Sequence, residues 1–252
     1  MKTAVISGGN GGLGQALAAQ LEAQGWHCVL MDIDISGLAP SPSRTPVAVD
    51  LTDATALAQA ADRIIAARPS VDMVIYNAGV SQIGAFAGAD MSSHRRVFEI
   101  NYFAAVSMAH AFLTPVRASK GTHLAISSVA GFAPLHGRTA YAASKHAMQG
   151  FFTSLRSEEA AHGVRCLIAA PSFVATNIGN ANRTDDGIVR PGSAADGIDY
   201  MSPETAATVI LNGVRKGQQF IPVGRVARLA AWIMRLSPGL YQRLMQRNIA
   251  RK

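Results

Sequence analysis

The chain has 252 residues, of which 49% are apolar and only 15% are charged, and its net charge is +7. This composition excludes a disordered chain, and the length suits one α/β domain. Residues 1–204 hold 14 Lys/Arg and all 16 Asp/Glu, whereas residues 205–252 hold 9 Lys/Arg and no acid. Because the basic character is confined to the C-terminal fifth and no nucleic-acid motif is present, we expect no nucleic-acid partner.

The cysteines and apolar runs indicate a cellular compartment. Cys28 and Cys166 are far apart and lie in apolar runs, so we expect buried, reduced thiols and no disulfide. No apolar run reaches the length of a membrane span, and the apolar segment after Lys2 is too short for the hydrophobic region of a secretion signal. We therefore predict a cytoplasmic protein. The histidines lack metal-ligand spacing, so we predict no catalytic metal.

Apolar, strand-like runs alternate with helical patterns along the chain. We expect strands at 2–7, 27–32, 46–50, 72–76, 121–127, 164–170 and 218–223. Helices are expected at 12–24, 54–67, 92–118, 140–161 and 203–216. This alternation predicts an α/β fold with a doubly wound parallel sheet of Rossmann type, in a single domain over residues 1–224.

A glycine-rich loop joins the first strand to the first helix. It reads SGGNGGLG over residues 7–14. Glycines let the backbone approach a pyrophosphate, and the helix N-terminus presents free N–H groups to it. Since the loop lies where a dinucleotide site requires it, we expect cofactor contacts from Gly8, Asn10, Gly12, Leu13 and Gly14.

An acidic residue ends the second strand. Asp32 follows Gly14 by eighteen residues, the position from which an acid binds the adenosine ribose hydroxyls. It would repel the 2′-phosphate of NADP, and no Lys or Arg occurs at 9–13 or 31–36 to attract that phosphate. We therefore predict NAD as the cofactor. The alternative is that Asp32 or Asp34 merely begins a loop.

Tyr141 and Lys145 are four residues apart in a helical sequence, so they share one helix face. A tyrosine needs a nearby cation to act as an acid/base at neutral pH, and Lys145 supplies one. Ser128 ends strand five and could hold the substrate oxygen beside Tyr141. Such a Tyr/Lys pair alone is typical of a solvated helix face, but beside the glycine loop and Asp32 it indicates catalysis.

Together these motifs resemble the short-chain dehydrogenase/reductase family, over about residues 3–223. Ser7–Gly14 matches the family's cofactor loop with Ser in place of Thr, and residues 76–79 match its Asn-Asn-Ala-Gly turn with Tyr in place of the first Asn. Residues 171–176 match its Pro-Gly-x-Val-x-Thr segment with Ser in place of Gly. The resemblance adds as cofactor contacts Asp50, Leu51, Asn77, Ala78, Gly79, Tyr141, Lys145, Pro171, Val174 and Thr176.

The resemblance also implies a catalytic role for Asn101, which would position a water that links Lys145 to solvent. It implies that Lys145 binds the nicotinamide ribose as well as lowering the pKa of Tyr141. The catalytic set is then Asn101, Ser128, Tyr141 and Lys145. The family further implies a homo-oligomer, either a dimer or a homotetramer.

The predicted function is hydride transfer between nicotinamide and a secondary alcohol or ketone. Phe132, Leu135 and Phe173 suggest a lipophilic substrate, and His136 is either a substrate contact or a solvated loop residue. A Gly-rich stretch at 177–202 predicts a substrate lid, and the alternative for so long a loop is a disordered excursion. Two alternatives are an NAD-binding sensor or scaffold protein, and an epimerase or dehydratase on the same fold.

Residues 225–252 form a basic, amphipathic helical extension interrupted by Pro238 and Gly239. Leu229, Trp232, Ile233 and Leu236 share one face with flanking arginines. Such a helix either docks on its own domain or a neighbouring subunit, covers the pocket or meets an acidic partner, or makes peripheral membrane contact.

Overall fold

A seven-stranded parallel sheet forms the centre of the protein. The computed structural model describes residues 1–176, 188–189 and 200–249. Its strands are β1 (Thr3–Ser7), β2 (His27–Asp32), β3 (Arg44–Ala48), β4 (Met73–Tyr76), β5 (Ser81–Gln82), β6 (Thr122–Ile126), β7 (Arg165–Pro171), β8 (Ile188–Val189) and β9 (Phe220–Val223). The main sheet has the order β3-β2-β1-β4-β6-β7-β9, and β5 pairs with β8 separately. The strand order reverses direction between β1 and β4, which is where this architecture leaves a ligand crevice.

Helices cover both faces of the sheet, as the sequence predicted. They are α1 (Gly12–Glu22), α2 (Ala54–Ala67), α3 (Met91–Phe98), α4 (Ala104–Ala111), α5 (Leu113–Ser119), α6 (Thr139–Glu159), α7 (Pro203–Arg215), α8 (Arg225–Leu236) and α9 (Pro238–Ile249). Leu17 and Ile210 bury the faces of α1 and α7 on one side. Leu57, Met108 and Phe152 bury α2, α4 and α6 on the other. The predicted doubly wound Rossmann-type fold is confirmed.

The edge strand β3 begins two residues earlier than predicted. Arg44 and Thr45 pair with Cys28 and Val29 of β2, although neither is apolar. An edge strand is half exposed and tolerates polar residues and Pro46, so an apolar run is a poor guide to its bounds. Arg44 is further fixed by a bidentate ion pair with Glu22 of α1, with both N–O distances at 2.7 Å.

The helix predicted at 92–118 is divided into shorter pieces. A π-helical turn, Glu99–Phe103, separates α3 from α4, and Phe112 ends α4. Such turns are rare and accumulate at functional sites. Here the widened turn contains Asn101, whose fully buried amide exchanges hydrogen bonds with the backbone of Val80.

Most of the stretch predicted as a substrate lid at 177–202 lies outside the described residues. Within it, β8 pairs with β5 in antiparallel register, with Ser81 opposite Val189 and Gln82 opposite Ile188. Met201 forms a bridge with Val174. The lid remains a prediction.

Candidate active site

A cavity of about 350 Å³ opens where the carboxyl ends of the central strands meet. It brings together residues that are widely separated in sequence. The predicted site residues that line it are Gly8, Gly12, Leu13, Asp32, Asp50, Leu51, Asn77, Ala78, Gly79, Ser128, Tyr141, Lys145, Pro171, Val174 and Thr176. Asn10, Gly14 and Asn101 are not among the lining residues that the structure describes.

The glycine loop forms a cradle of bare backbone at the start of α1. Gly8 has φ +63°, which favours glycine, and a Cβ on Gly14 would collide with the carbonyl oxygen of Gly8. Gly11 caps the helix without a side-chain hydrogen bond, and the first turn carries no acid. Free N–H groups at a helix N-terminus with no nearby carboxylate in that turn suit a pyrophosphate. The residues present therefore fit a dinucleotide.

The side chains of Ser7 and Asn77 hold this cradle against the turn after β4. The Ser7 hydroxyl accepts hydrogen bonds from the N–H groups of Asn77 at 3.0 Å and Ala78 at 3.1 Å. The Asn77 amide donates to the Gly8 carbonyl at 2.9 Å. Sequence reasoning gave Ser7 no role. The available signal was the hydroxyl group, which Ser7 shares with the Thr that the family has at this position.

Asp32 lies at one end of the cavity with its carboxylate fixed by the loop. Its Oδ2 accepts the N–H of Asn10 at 2.9 Å. Asn10 itself points away from the cavity lining and donates from Nδ2 to the Asp34 carbonyl at 2.9 Å. Asn10 therefore contributes to the site by orienting Asp32 through its backbone N–H, and its predicted contact with the cofactor remains a prediction.

Ser128, Tyr141 and Lys145 meet at the other end of the cavity. Ser128 follows β6, and its hydroxyl accepts the N–H of Ala130 at 3.1 Å. Tyr141 lines the same cavity as Ser128, and the Ser128 hydroxyl acts to lower the pKa of Tyr141. The Lys145 ammonium lies 5.9 Å from the centre of the Tyr141 ring and donates to the Ile126 carbonyl at 2.9 Å. Both α6 residues are buried, so this is not a solvated helix face.

Burial changes the proton affinity of both groups. It raises the pKa of Tyr141, and the hydrogen bond with Ser128 and the charge of Arg138 only partly oppose that rise. It lowers the pKa of Lys145 to about 8, because a buried ammonium is poorly solvated. Tyr141 is thus held protonated at neutral pH. The lowering of its pKa that we expected from Lys145 is not what dominates here.

Asn101 lies behind the cavity and joins three segments. Its Oδ1 accepts the N–H of Val80 at 2.8 Å, and its Nδ2 donates to the Val80 carbonyl and to Ser144 Oγ, both at 2.9 Å. Ser144 in turn donates to the Tyr141 carbonyl at 2.8 Å. This network makes Asn101 a positioning residue for α6, and its predicted water relay to Lys145 remains a prediction.

Arg138 is a site residue that sequence reasoning missed. It precedes α6, lines the cavity, is buried, and donates to Ser81 Oγ at 3.3 Å. The available signal was its position three residues before Tyr141, one helical turn away. Phe132, which was expected in the pocket, packs on Phe220 instead. His136 is exposed and not among the described lining residues, which agrees with the alternative of a solvated loop residue.

Comparison with known proteins gives consistent results. The model of the short chain dehydrogenase family matches residues 2–187. The chain is 35% identical to dehydrogenase/reductase SDR family member 7B of Bos taurus, over 96% of this chain and 79% of that protein. A short chain dehydrogenase from Burkholderia cenocepacia in complex with NADP has a TM-score of 0.85 at 22% identity, covering 97% and 99% of the two chains. A short chain dehydrogenase/reductase from Burkholderia phymatum in complex with NAD has a TM-score of 0.79 at 22% identity, covering 93% and 92%.

Proposed function

This chain belongs to the short-chain dehydrogenase/reductase family of oxidoreductases, and from that membership we propose that it is an NAD-dependent alcohol dehydrogenase or carbonyl reductase. Its substrate would be a lipophilic secondary alcohol or the corresponding ketone. The observation that carries the proposal is that Ser128, Tyr141 and Lys145 line one cavity, with Tyr141 and Lys145 one helical turn apart on α6.

In this proposal the substrate oxygen lies between Ser128 and Tyr141. When bound between the glycine loop and residues 171–176, a nicotinamide cofactor supplies or accepts the hydride. Tyr141 gives its proton to the oxygen during reduction and takes it back during oxidation. The Lys145 ammonium stabilises the tyrosinate that reduction leaves, and the Ser128 hydroxyl holds the oxygen in line.

We propose NAD rather than NADP because of the charges around Asp32. Asp32 and Asp50 line that end of the cavity, whereas the described lining includes only two cations, Lys145 and Arg138, which adjoin Tyr141. A 2′-phosphate next to Asp32 would therefore meet a carboxylate and no compensating charge among these residues.

A lipophilic substrate is supported by the apolar side chains that line the same cavity as Tyr141. The described lining of the cavity includes the apolar and aromatic side chains of Val80, Ile83, Ile100, Leu135, Phe173 and Tyr200. Burying an apolar substrate against such walls is favourable, and the few polar groups near the oxygen would set its orientation.

We also propose a cytoplasmic homo-oligomer, either a dimer or a tetramer. The buried free thiols of Cys28 and Cys166 suit a reducing compartment. An aromatic patch at the π turn and α6 offers a contact surface: Phe103 is half exposed and packs on Tyr102, which packs on Phe151. A single monomeric species in light scattering would overturn the oligomer.

The function is tested by incubating the purified protein with NADH or NADPH and a panel of apolar ketones, and with NAD or NADP and the matching alcohols. We expect oxidation of NADH, followed by its absorbance, with at least one apolar ketone. Nucleotide binding without turnover would favour the sensor or scaffold alternative. Conversion of a substrate without net change in the nucleotide would favour an epimerase or dehydratase.

A further inference from the structure

The last two helices expose large apolar side chains in one row. On α8, Leu229, Trp232 and Leu236 are 62%, 67% and 75% exposed. Their spacing of three and four residues places them on a single face. The opposite face is buried through the small residues Ala227 and Ala230, which hold the helix against the protein. The helix thus packs mainly through its alanines and leaves Leu229, Trp232 and Leu236 outward, the reverse of an ordinary surface helix.

The next helix, α9, also exposes large apolar side chains, and both helices carry arginines. Leu240 and Leu244 are also exposed. Exposed arginines flank the row at Arg225, Arg228, Arg235, Arg243 and Arg247. No Asp or Glu occurs anywhere in residues 205–252. The ion pairs found between described residues, Arg44–Glu22 and Arg117–Glu159, lie in other parts of the protein.

We propose that this surface of α8 and α9 docks the protein on an anionic lipid bilayer. Leucines and a tryptophan enter the acyl boundary, while the arginines remain level with the phosphate headgroups. A negatively charged bilayer attracts each nearby arginine, so charge and apolar burial act together. Neither helix has the length and apolar content to cross a bilayer, so the contact is peripheral.

A second copy of the chain fits this surface less well. A two-fold symmetric contact would place the same patch on both sides, because each residue meets its counterpart or a near neighbour. All charged side chains of the patch are positive, so arginines would face arginines across the contact. Like charges in such a position oppose association. An anionic bilayer attracts these arginines, whereas the equally basic patch of a second copy would repel them.

The docking surface adjoins the catalytic cavity. A second cleft is lined by residues at the start of α8, Arg225 and Arg228, and by the apolar side chains of Val209 and Pro222. Tyr200 lines both this cleft and the cavity that contains Tyr141. A bilayer at α8 would therefore lie beside a lipophilic substrate path, although docking itself does not depend on the proposed reaction.

The proposal is tested by sedimenting the full-length protein with vesicles. One set is pure phosphatidylcholine and the other contains about one third phosphatidylserine. We expect binding to the anionic vesicles only, weakened by added salt. Trp232→Ser with Leu236→Ser, and separately Arg228→Gln with Arg235→Gln, should each weaken binding about tenfold or more. Met91→Ser and Arg63→Gln, exposed residues of α3 and α2, are matched controls that should bind as wild type.

Fluorescence gives a second readout, because the chain has only two tryptophans. In a Trp26→Phe background, Trp232 is the sole reporter, and anionic vesicles should shift its emission to the blue. Absence of binding and of the shift would overturn the proposal. So would double variants that bind as tightly as wild type. If the Trp232/Leu236 variant instead dissociates an oligomer in sedimentation velocity while vesicles have no effect, the surface covers a second copy and the lipid proposal is wrong.

Discussion

The proposed proton transfer depends on two buried residues whose pKa values move in opposite directions. Burial raises the pKa of Tyr141 and lowers that of Lys145 to about 8. Tyr141 therefore remains a proton donor over the neutral range. Lys145 is the group of this pair that titrates near neutrality, and its charge is what stabilises the tyrosinate formed during reduction.

The pH profile of ketone reduction should report Lys145. Below about pH 8 the ammonium is charged, and above it the charge is lost, so kcat/KM should be level on the acid side and fall as pH rises through about 8. Lys145→Arg keeps the charge to much higher pH, so it should lose the fall near pH 8 even though its rate is lower. A wild-type profile that stays level to pH 10 or above would contradict this role.

Asp32 is expected to select the cofactor. Asp32→Ala should raise the KM for NAD about tenfold or more while leaving the KM for NADP unchanged or lower, because the carboxylate is expected to hold the ribose hydroxyls and to repel a 2′-phosphate. Asp34→Ala is the matched control, since the Asp34 carboxylate accepts the Ser36 N–H at 2.9 Å and does not line the cavity. An equal rise in the KM for both nucleotides would show that Asp32 does not bind the ribose hydroxyls.

At the scale of the elements, hydrophobic periodicity was sufficient where both faces of a strand are buried. β1 and β2 have apolar centres and are buried except at Asp32, which is partly exposed, and their predicted bounds differ from the structure by at most one residue. Hydrophobic periodicity was insufficient to predict the bounds of elements where polar side chains decide the local structure. Arg44 pairs on an edge, and Asn101, in the widened helical turn, binds the backbone of Val80, a residue distant in sequence. Neither contact leaves a periodic signal.

Phe152 anchors the helix that carries Tyr141 and Lys145. Its ring is fully buried and lies 4.6 Å, between ring centres, from Tyr76. Phe152→Ala should lower the free energy of unfolding by about 3–5 kcal/mol, measured by urea denaturation, because it leaves a cavity in the core. The neighbouring Phe151 is only partly buried, so Phe151→Ala should cost clearly less. Equal losses would mean that α6 is not anchored through Phe152.

For the whole molecule, the sequence motifs predicted which segments converge on the cavity, since parallel strands bring their carboxyl ends to one edge. They did not predict how the segments are held. The hydroxyl of Ser7, the side chain of Asn10 and the buried Arg138 act through contacts that only the folded chain creates. Similarly, the arginine-rich pattern of α8 identified its face, but only packing shows that Ile233 is partly buried while Trp232 is exposed.

The central claim is that Tyr141 is the proton donor and acceptor, and it is tested most directly by turnover of Tyr141→Phe. This variant removes one oxygen atom from the cavity, so NADH binding measured by fluorescence titration should stay within about twofold of wild type, whereas kcat should fall about a hundredfold to ten-thousandfold. Tyr102→Phe, outside the described cavity lining, should keep full activity. A Tyr141→Phe enzyme that turns over its ketone at near the wild-type rate would contradict the assignment.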